Sequence, residues 1–438
     1  MRQPDTGRAK RGVWTLALLT LAVCVLAFAA PAFASSSPSP TVASPAASDS
    51  AVPASPAAAP AASEPAAPAV EASPVAPVLT AALSKASVVF GDQVTVTGTL
   101  TPAAGGEEVT VRLGASVVGT ATAGADGAFT LTFVPHRSGD VVASLTSDPT
   151  VASAAKALSV KPKATVTHGT LVPFLSSTVV VKIAPAAYDG LVVVKVNHRG
   201  DLVGSYKVRA KNGKATLHIP FRGVDGFNLS VILPAAAGLD GRTVPAKFAV
   251  RAKTLSAGSS GPYVKGMLTA LVALKFRVPS VGTSFTTQVK DSVMAFQKAY
   301  GLSRTYVFNT ACWRKIDGAK LIKPRHASPS THLEVDKGRQ IAMVVKGGKP
   351  YGIICVSTGA TGNTPEGTFH IQQKHTFTTS GYGGILVRTM GFIGDFAMHG
   401  YAPVPPYPAS HGCVREPIWA CYWMYDQSWV GETLYIYH

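Results

Sequence analysis

The alternation of apolar and polar positions divides the chain into blocks of different period. From Val13 to Ala30 the sequence is mostly apolar, preceded by Arg2, Arg8, Lys10 and Arg11 and followed by Ala32-Phe33-Ala34. A basic start, an apolar run and an Ala-x-Ala ending predict a secretory signal over residues 1–34, cut after Ala34. The length of the run leaves an uncleaved membrane anchor open. Val23, bulky and directly before Cys24, argues against lipid attachment at that cysteine. Residues 35–78 show no period and are almost wholly Ala, Pro, Ser and Val. So little large apolar surface cannot offset the entropy of ordering, and a disordered tether is predicted. About forty residues at ~3.1 Å each would reach on the order of 120 Å.

Two blocks of period two follow. In the first, Val94 and Val96 alternate with Gln93, Thr95 and Thr97, and Phe129, Leu131 and Phe133 alternate with Thr130 and Thr132. In the second, Ala215, Leu217, Ile219 and Phe221 form one alternating set and Phe227, Leu229, Val231 and Leu233 another. This is the signature of half-buried strands. Turn pairs Asp126-Gly127 and Asn212-Gly213 precede comparable strands 86 residues apart, which points to a divergent duplication. Residues 79–161 and 162–253 are therefore expected to be two immunoglobulin-like β-sandwiches. Neither carries a cluster suggestive of catalysis, so both read as spacers.

After Ser256-Ala257-Gly258-Ser259-Ser260-Gly261 the period becomes helical. Val264, Met267, Leu268, Leu271 and Leu274 share one face, and Val289, Val293, Phe296 and Tyr300 another, with Gly301 placed to end the second helix. A third short helix starting at Asn309 or Thr310 would bury Trp313 and Ile316. From about His332 strands return: Ile341, Met343 and Val345 alternate with Ala342 and Val344, and Lys346-Gly347-Gly348-Lys349 turns the chain into Ile353-Ile354-Cys355-Val356. The last block is expected to be all β, and the protein as a whole mainly β and multidomain.

Charge and cysteine content sharpen the picture. The 438 residues carry a formal charge of +17. For an exported chain this favours anionic wall polymers or lipid head groups as partners over nucleic acid, though a basic surface for solubility alone reads equally well. Membrane contact is expected only through the N-terminal segment if it stays uncleaved. Beyond Cys24, only Cys312, Cys355, Cys413 and Cys421 remain, too sparse for a disulfide-stapled scaffold. If Cys413 serves chemistry, at least one of the other three is unpaired as well.

Cys413 stands out because it sits in Ser410-His411-Gly412-Cys413-Val414-Arg415. A thiol is a weak nucleophile until ionised and needs a base. His399-Gly400 lies fourteen residues upstream, across a proline-rich loop from Tyr401 to Ala409. Gly412 would let backbone N–H groups approach a developing oxyanion, and Arg415 would clamp a carboxylate. His399, His411 and Cys413 also form a zinc-like trio without a clear fourth ligand. No cofactor is called for.

His399-Gly400 followed by Ser410-His411-Gly412-Cys413-Val414-Arg415 resembles the signature of the L,D-transpeptidase catalytic family, whose domain is a small β-sandwich with a cysteine nucleophile. Val335-Asp336-Lys337-Gly338-Arg339-Gln340, Val356-Ser357-Thr358-Gly359 and Thr364-Pro365-Glu366-Gly367-Thr368-Phe369 are similar to that family's earlier strands and turns, so the resemblance covers roughly residues 330–438. Residues 261–318 resemble the peptidoglycan-binding domain of wall enzymes, through Tyr263-Val264-Lys265, the run Ser292 to Leu302 and Thr310-Ala311-Cys312-Trp313, but lack its usual Asp-Gly and Phe-Gly turns. A helical packing module is the alternative.

The resemblance implies that Cys413 attacks a stem-peptide carbonyl with His399 as base. Gly400 would orient the imidazole and backbone N–H groups of His411, Gly412 and Cys413 would form the oxyanion hole. His411 is expected either to orient the thiolate or to serve the framework. Arg415, Ser410 and Tyr382 are the expected substrate contacts, with residues 372–390, including His375, Gly383 and Gly384, as a lid or an ordinary loop. Expected partners are peptidoglycan stems and glycan, at the cell wall or the outer face of the membrane. An L,D-carboxypeptidase with water as acceptor would use the same residues. A non-catalytic wall-binding protein would have no need of both Cys413 and His399.

Overall fold

The computed structural model describes residues 75–438. The expected signal and all but the end of the expected tether lie outside the described residues, and the first strand begins at Val78. In the first sandwich Val94–Thr101 is flanked by Val78–Leu79, Ala82–Leu83 and Ala128–Phe133. The facing sheet has five strands, ordered Ser87–Val89, Lys156–Lys161, Gly139–Leu145, Glu108–Leu113 and Ser116–Thr122. In the second sandwich a three-stranded sheet centred on Ser176–Ala184 faces a four-stranded sheet containing Leu191–His198 and Asp225–Leu233. Inward residues such as Val94, Val96, Val192 and Val194 are wholly buried. Asn212 and Gly213 both have positive φ, the geometry a tight two-residue hairpin turn requires.

Three helices follow: α1 (Pro262–Ala273), α2 (Thr287–Ala299) and α3 (Thr310–Ile316). Thr286 and Asn309 cap α2 and α3 by accepting from the amides of Val289 and Cys312. The module docks on the second sandwich through Asp317, whose carboxylate meets His198 Nε2 and Arg199 Nη2 at 2.9 Å each and the Val224 amide at 3.3 Å. Phe174 stacks near Trp313, and the Tyr263 hydroxyl donates to the Leu171 carbonyl.

The C-terminal domain pairs two sheets. One runs Lys349–Cys355, Ile341–Lys346, His332–Asp336, Thr433–Tyr437, Gly367–His370; the other runs Gln373–Thr379, Ile385–Ile393, Phe396–Gly400, Val414–Glu416. The expectation of an all-β domain is corrected by α4 (Ile418–Gln427). Its sequence, IWACYWMYDQ, is apolar and aromatic nearly all round and begins after Pro417 without a side-chain cap, so neither periodicity nor capping marks it.

Ile341–Lys346 is the expected strand, and the structure buries both of its faces. Ala342 and Val344 face the catalytic core, whereas Ile341, Met343 and Val345 pack into the core of the helical module. Burying three such side chains contributes on the order of 5 kcal/mol. Backbone hydrogen bonds add to the seam, with the Arg277 amide donating to the Ile353 carbonyl and the Ile353 amide to that of Lys275. The helices are thus part of the packing of the catalytic sheet.

Candidate active site

The pocket forms where two parallel strands end side by side. Phe396–Gly400 carries His399, and Val414–Glu416, entered directly from Cys413, pairs with it in the register His399 to Arg415. Short strands of this kind expose their ends to a cleft, while Met398 and Val414 anchor them in the core. A cavity of about 330 Å³ is lined by Cys413, His399, Arg415, His411, Tyr382 and Tyr401, among others.

The turn bearing Cys413 is held from three sides. Thr364 Oγ1 donates to the Gly412 carbonyl and accepts from the Gly359 amide at 2.8 Å. Asn363 Nδ2 donates to the His411 carbonyl. Ser410 Oγ donates to the Cys413 carbonyl and accepts from the Gly412 amide at 3.1 Å. Behind them the nearly buried Lys337 ammonium donates to the carbonyls of Gly362 and Thr364 and to Glu366. Gln340 exchanges hydrogen bonds with Thr358, whose carbonyl accepts from the Ser410 amide. Gly412 has φ +148°, and a Cβ there would run into the Phe396 ring, so a side chain is excluded twice over.

Two expectations change accordingly. Ser410 was expected to touch substrate; it does border the cavity, but it is nearly buried and its hydroxyl is committed within the turn. The Gly412 amide was expected in the oxyanion hole, but it already donates to Ser410, which restricts that role to its neighbours. The zinc arrangement also fails. Among the described residues no three His, Cys, Asp or Glu side chains gather around a metal position, and the His411 ring is stacked against Tyr382 at 4.1 Å.

His399 Nδ1 faces the Gly400 carbonyl at 3.3 Å, so the tautomer that donates from Nδ1 leaves Nε2 as the accepting nitrogen. Burial lowers the imidazole pKa to about 4, the Gly400 hydrogen bond opposes this, and the Arg415 charge adds to it. Burial raises the Cys413 thiol, against the Ala397 backbone amide and Arg415, which lower it, while Asp395 raises it further. The thiol rests on the Asp395 carbonyl at 3.6 Å. Both shifts favour an uncharged thiol and an uncharged imidazole at neutral pH. Arg415 lies over the Tyr401 ring at 4.8 Å, with no carboxylate in salt-bridge reach among the described residues.

Residues 372–390 form most of a hairpin, Gln373–Thr379 paired with Ile385–Ile393, whose tip brings Ser380, Tyr382 and Gly383 to the cavity. His375 lies on its exposed outer part and does not line the cavity. Asn363, Asp395, Phe396 and Tyr401 line it too but had no assigned role in the sequence reading. The run Phe392 to Met398 offered the signal for two of them, since a strand delivering His399 must also deliver its neighbours. All four cysteines among the described residues are free, and Cys312, Cys355 and Cys421 are buried.

A half-buried thiol and an imidazole on adjoining strand ends, facing a cleft with an arginine that has no carboxylate partner among the described residues, are the parts that cysteine acyl transfer requires. Residues 330–436 match the family YkuD, the L,D-transpeptidase catalytic domain. Through this domain the chain belongs to the L,D-transpeptidase family. Among solved structures, it is similar to an L,D-transpeptidase from Xylanimonas cellulosilytica at 30% identity, covering 42% of this chain and 98% of that one with a TM-score of 0.40. An L,D-transpeptidase from Stackebrandtia nassauensis is 24% identical over 42% of this chain and 95% of its own, TM-score 0.28. One from Mycobacterium smegmatis is 12% identical over 63% and 99%, TM-score 0.24. No curated protein matches the chain.

Proposed function

We propose that the protein is an exported cell-wall enzyme that joins peptidoglycan stems by 3→3 cross-links through a thioester on Cys413. The observation that carries this reading is the placement of Cys413 and His399 in one cleft within the family-matched segment. The Cys413 sulfur attacks the carbonyl at the L-centre of the third stem residue as its proton passes to His399 Nε2. The C–N bond to the terminal D-alanine then breaks, and that proton leaves on the departing amine. The side-chain amine of a second stem attacks the thioester, gives a proton to His399, and the thiol is restored.

A neutral resting pair makes proton transfer part of the attack rather than a step before it. Arg415 has a double part in this. It pairs with a substrate carboxylate, and that pairing offsets the positive field that helps depress His399. Tyr382 on the hairpin tip and the stacked His411 wall off one side of the cleft. With water in place of the amine the same residues give a carboxypeptidase.

Incubating the exported portion with a disaccharide-tetrapeptide and following products by mass spectrometry tests the proposal. A cross-linked dimer with loss of D-alanine, absent in a folded Cys413→Ala variant, is the expected result. Tripeptide alone would replace it with the carboxypeptidase, and equal product from Cys413→Ala would overturn the mechanism.

A further inference from the structure

The loop Tyr401–Ala409 connects the strand of His399 to the turn of Cys413, and four of its nine residues are prolines. Proline has no N–H to give a ladder, so such a segment is held mainly through its carbonyls. Three consecutive carbonyls are caught by the helical module. The Tyr306 hydroxyl donates to Val404 at 3.4 Å, the Lys298 ammonium to Pro405 at 3.3 Å, and the Arg304 guanidinium to Pro406 at 2.6 Å.

Lys298 is the centre of this grip. It lies in the last turn of α2 and is only 2% exposed, an environment in which a lysine persists only with good partners. Its ammonium also donates to the Val356 carbonyl at 2.7 Å. Val356 leads into Ser357 and Thr358, and these in turn hold the active-site segment: Ser357 exchanges backbone hydrogen bonds with Arg415 and donates from Oγ to the Tyr407 carbonyl, and the Thr358 carbonyl accepts from Ala409 and Ser410. One buried cation therefore bridges the two segments that flank the Cys413 turn. None of the three gripping side chains lines the cavity.

We propose that Lys298, assisted by Arg304 and Tyr306, is a positioning residue that sets where the Cys413 thiol stands relative to His399, so that the helical module is a working part of the active site. This rests on the acyl-transfer reading for its consequence in turnover, but not for its effect on the thiol.

The test uses the whole exported chain with Lys298→Met, which keeps the stem and removes the donors, together with Arg304→Gln, Arg304→Lys and Tyr306→Phe. Cys413 alkylation by iodoacetamide, located by peptide mass spectrometry, is measured from about pH 6 to about pH 10 in folded protein. Kinetics on the disaccharide-tetrapeptide run in parallel. Displacing the thiol by a fraction of an ångström to an ångström should lower kcat roughly tenfold to a hundredfold with little change in KM, and shift the alkylation profile. Arg304→Gln should show the same change in smaller degree and Arg304→Lys should restore it.

A folded Lys298→Met with the parental alkylation profile and kcat would overturn the proposal. If Lys298→Met does not fold, unchanged profiles in both Arg304→Gln and Tyr306→Phe would overturn it instead. A shifted alkylation profile in a chain that never turns over the stem would sustain the positioning role and refute the functional reading on which its consequence depends.

Discussion

Glu416 offers a direct measure of what the strand beside His399 costs to bury. Its backbone pairs with Gly400, its carboxyl is fully enclosed, and neither oxygen has a hydrogen-bond partner among the described residues. Burial pushes its pKa from 4.5 up to about 8, so the folded chain holds a proton that the unfolded chain releases. This group's contribution to stability therefore falls as pH rises from about 4.5 and levels off above about 8. At about 1.4 kcal/mol per pH unit, the loss attributable to this group is about 3 kcal/mol between pH 5 and pH 7.5. Glu416→Gln keeps the shape and removes the ionisation, so it should gain on the parent by about that amount across the same interval. Urea unfolding followed by tryptophan fluorescence reads the right region, since Trp419, Trp423 and Trp429 all lie in the catalytic domain. Glu432, pushed to about 7 by burial, titrates in both proteins and cancels in the comparison. A stability difference between variant and parent that stays constant over this range, within about 0.5 kcal/mol, would refute the argument that Glu416 is buried as the acid.

Other outcomes follow from the same geometry. Because His399 is depressed to about 4, kcat/KM should fall on the acid side only as pH approaches about 4; an inflection near the ordinary histidine value would contradict the neutral resting pair. Cys413 alkylation should keep rising past the pH at which a peptide cysteine has levelled off, and an early plateau would mean a preformed thiolate. Thr364→Val leaves the Gly412 carbonyl and the Gly359 amide without their partner, costing about 1–3 kcal/mol in thermal or urea denaturation and lowering kcat. Tyr382→Ala removes an exposed ring from His411, so stability should stay within about 0.5 kcal/mol while KM rises; an unchanged KM would exclude the hairpin tip from substrate binding.

How much of this was legible beforehand depended on whether the signal was local. Period-two alternation located Val94, Val96, Phe227 and Leu229 in sheets, and the cap at Asn309 agrees with the expected start of the third helix, because these features depend on neighbours within a few residues. The Cys413 motif was readable for the same reason. Ile341–Lys346 was readable as a strand, but what covers its second face was not, because that surface comes from helices some fifty residues earlier. α4 was missed because its exposed positions, Ile418 and Tyr422 among them, are also apolar or aromatic, so little polar face sets it off. Ser410 looked like a substrate contact until the turn's own carbonyl was seen to take its hydroxyl, a fact that spacing alone does not encode. Lys298 and Thr364 both fall in stretches that the resemblances single out, but the carbonyls they reach are distant in sequence, so their roles could not be read from the motifs.

The Asp317 carboxylate has a bearing on how the enzyme would meet a crowded substrate. With His198, Arg199 and Val224 all turned toward one buried oxygen, the second sandwich has a defined angular relation to the helices, and the helices to the cleft. Aim is thus set inside the protein. Bending at that junction would strand a buried negative charge, so the catalytic domain would gain little freedom there. The sandwiches then act less as beads on a string than as a handle, and the direction in which the cleft opens would be decided by whatever holds the other end.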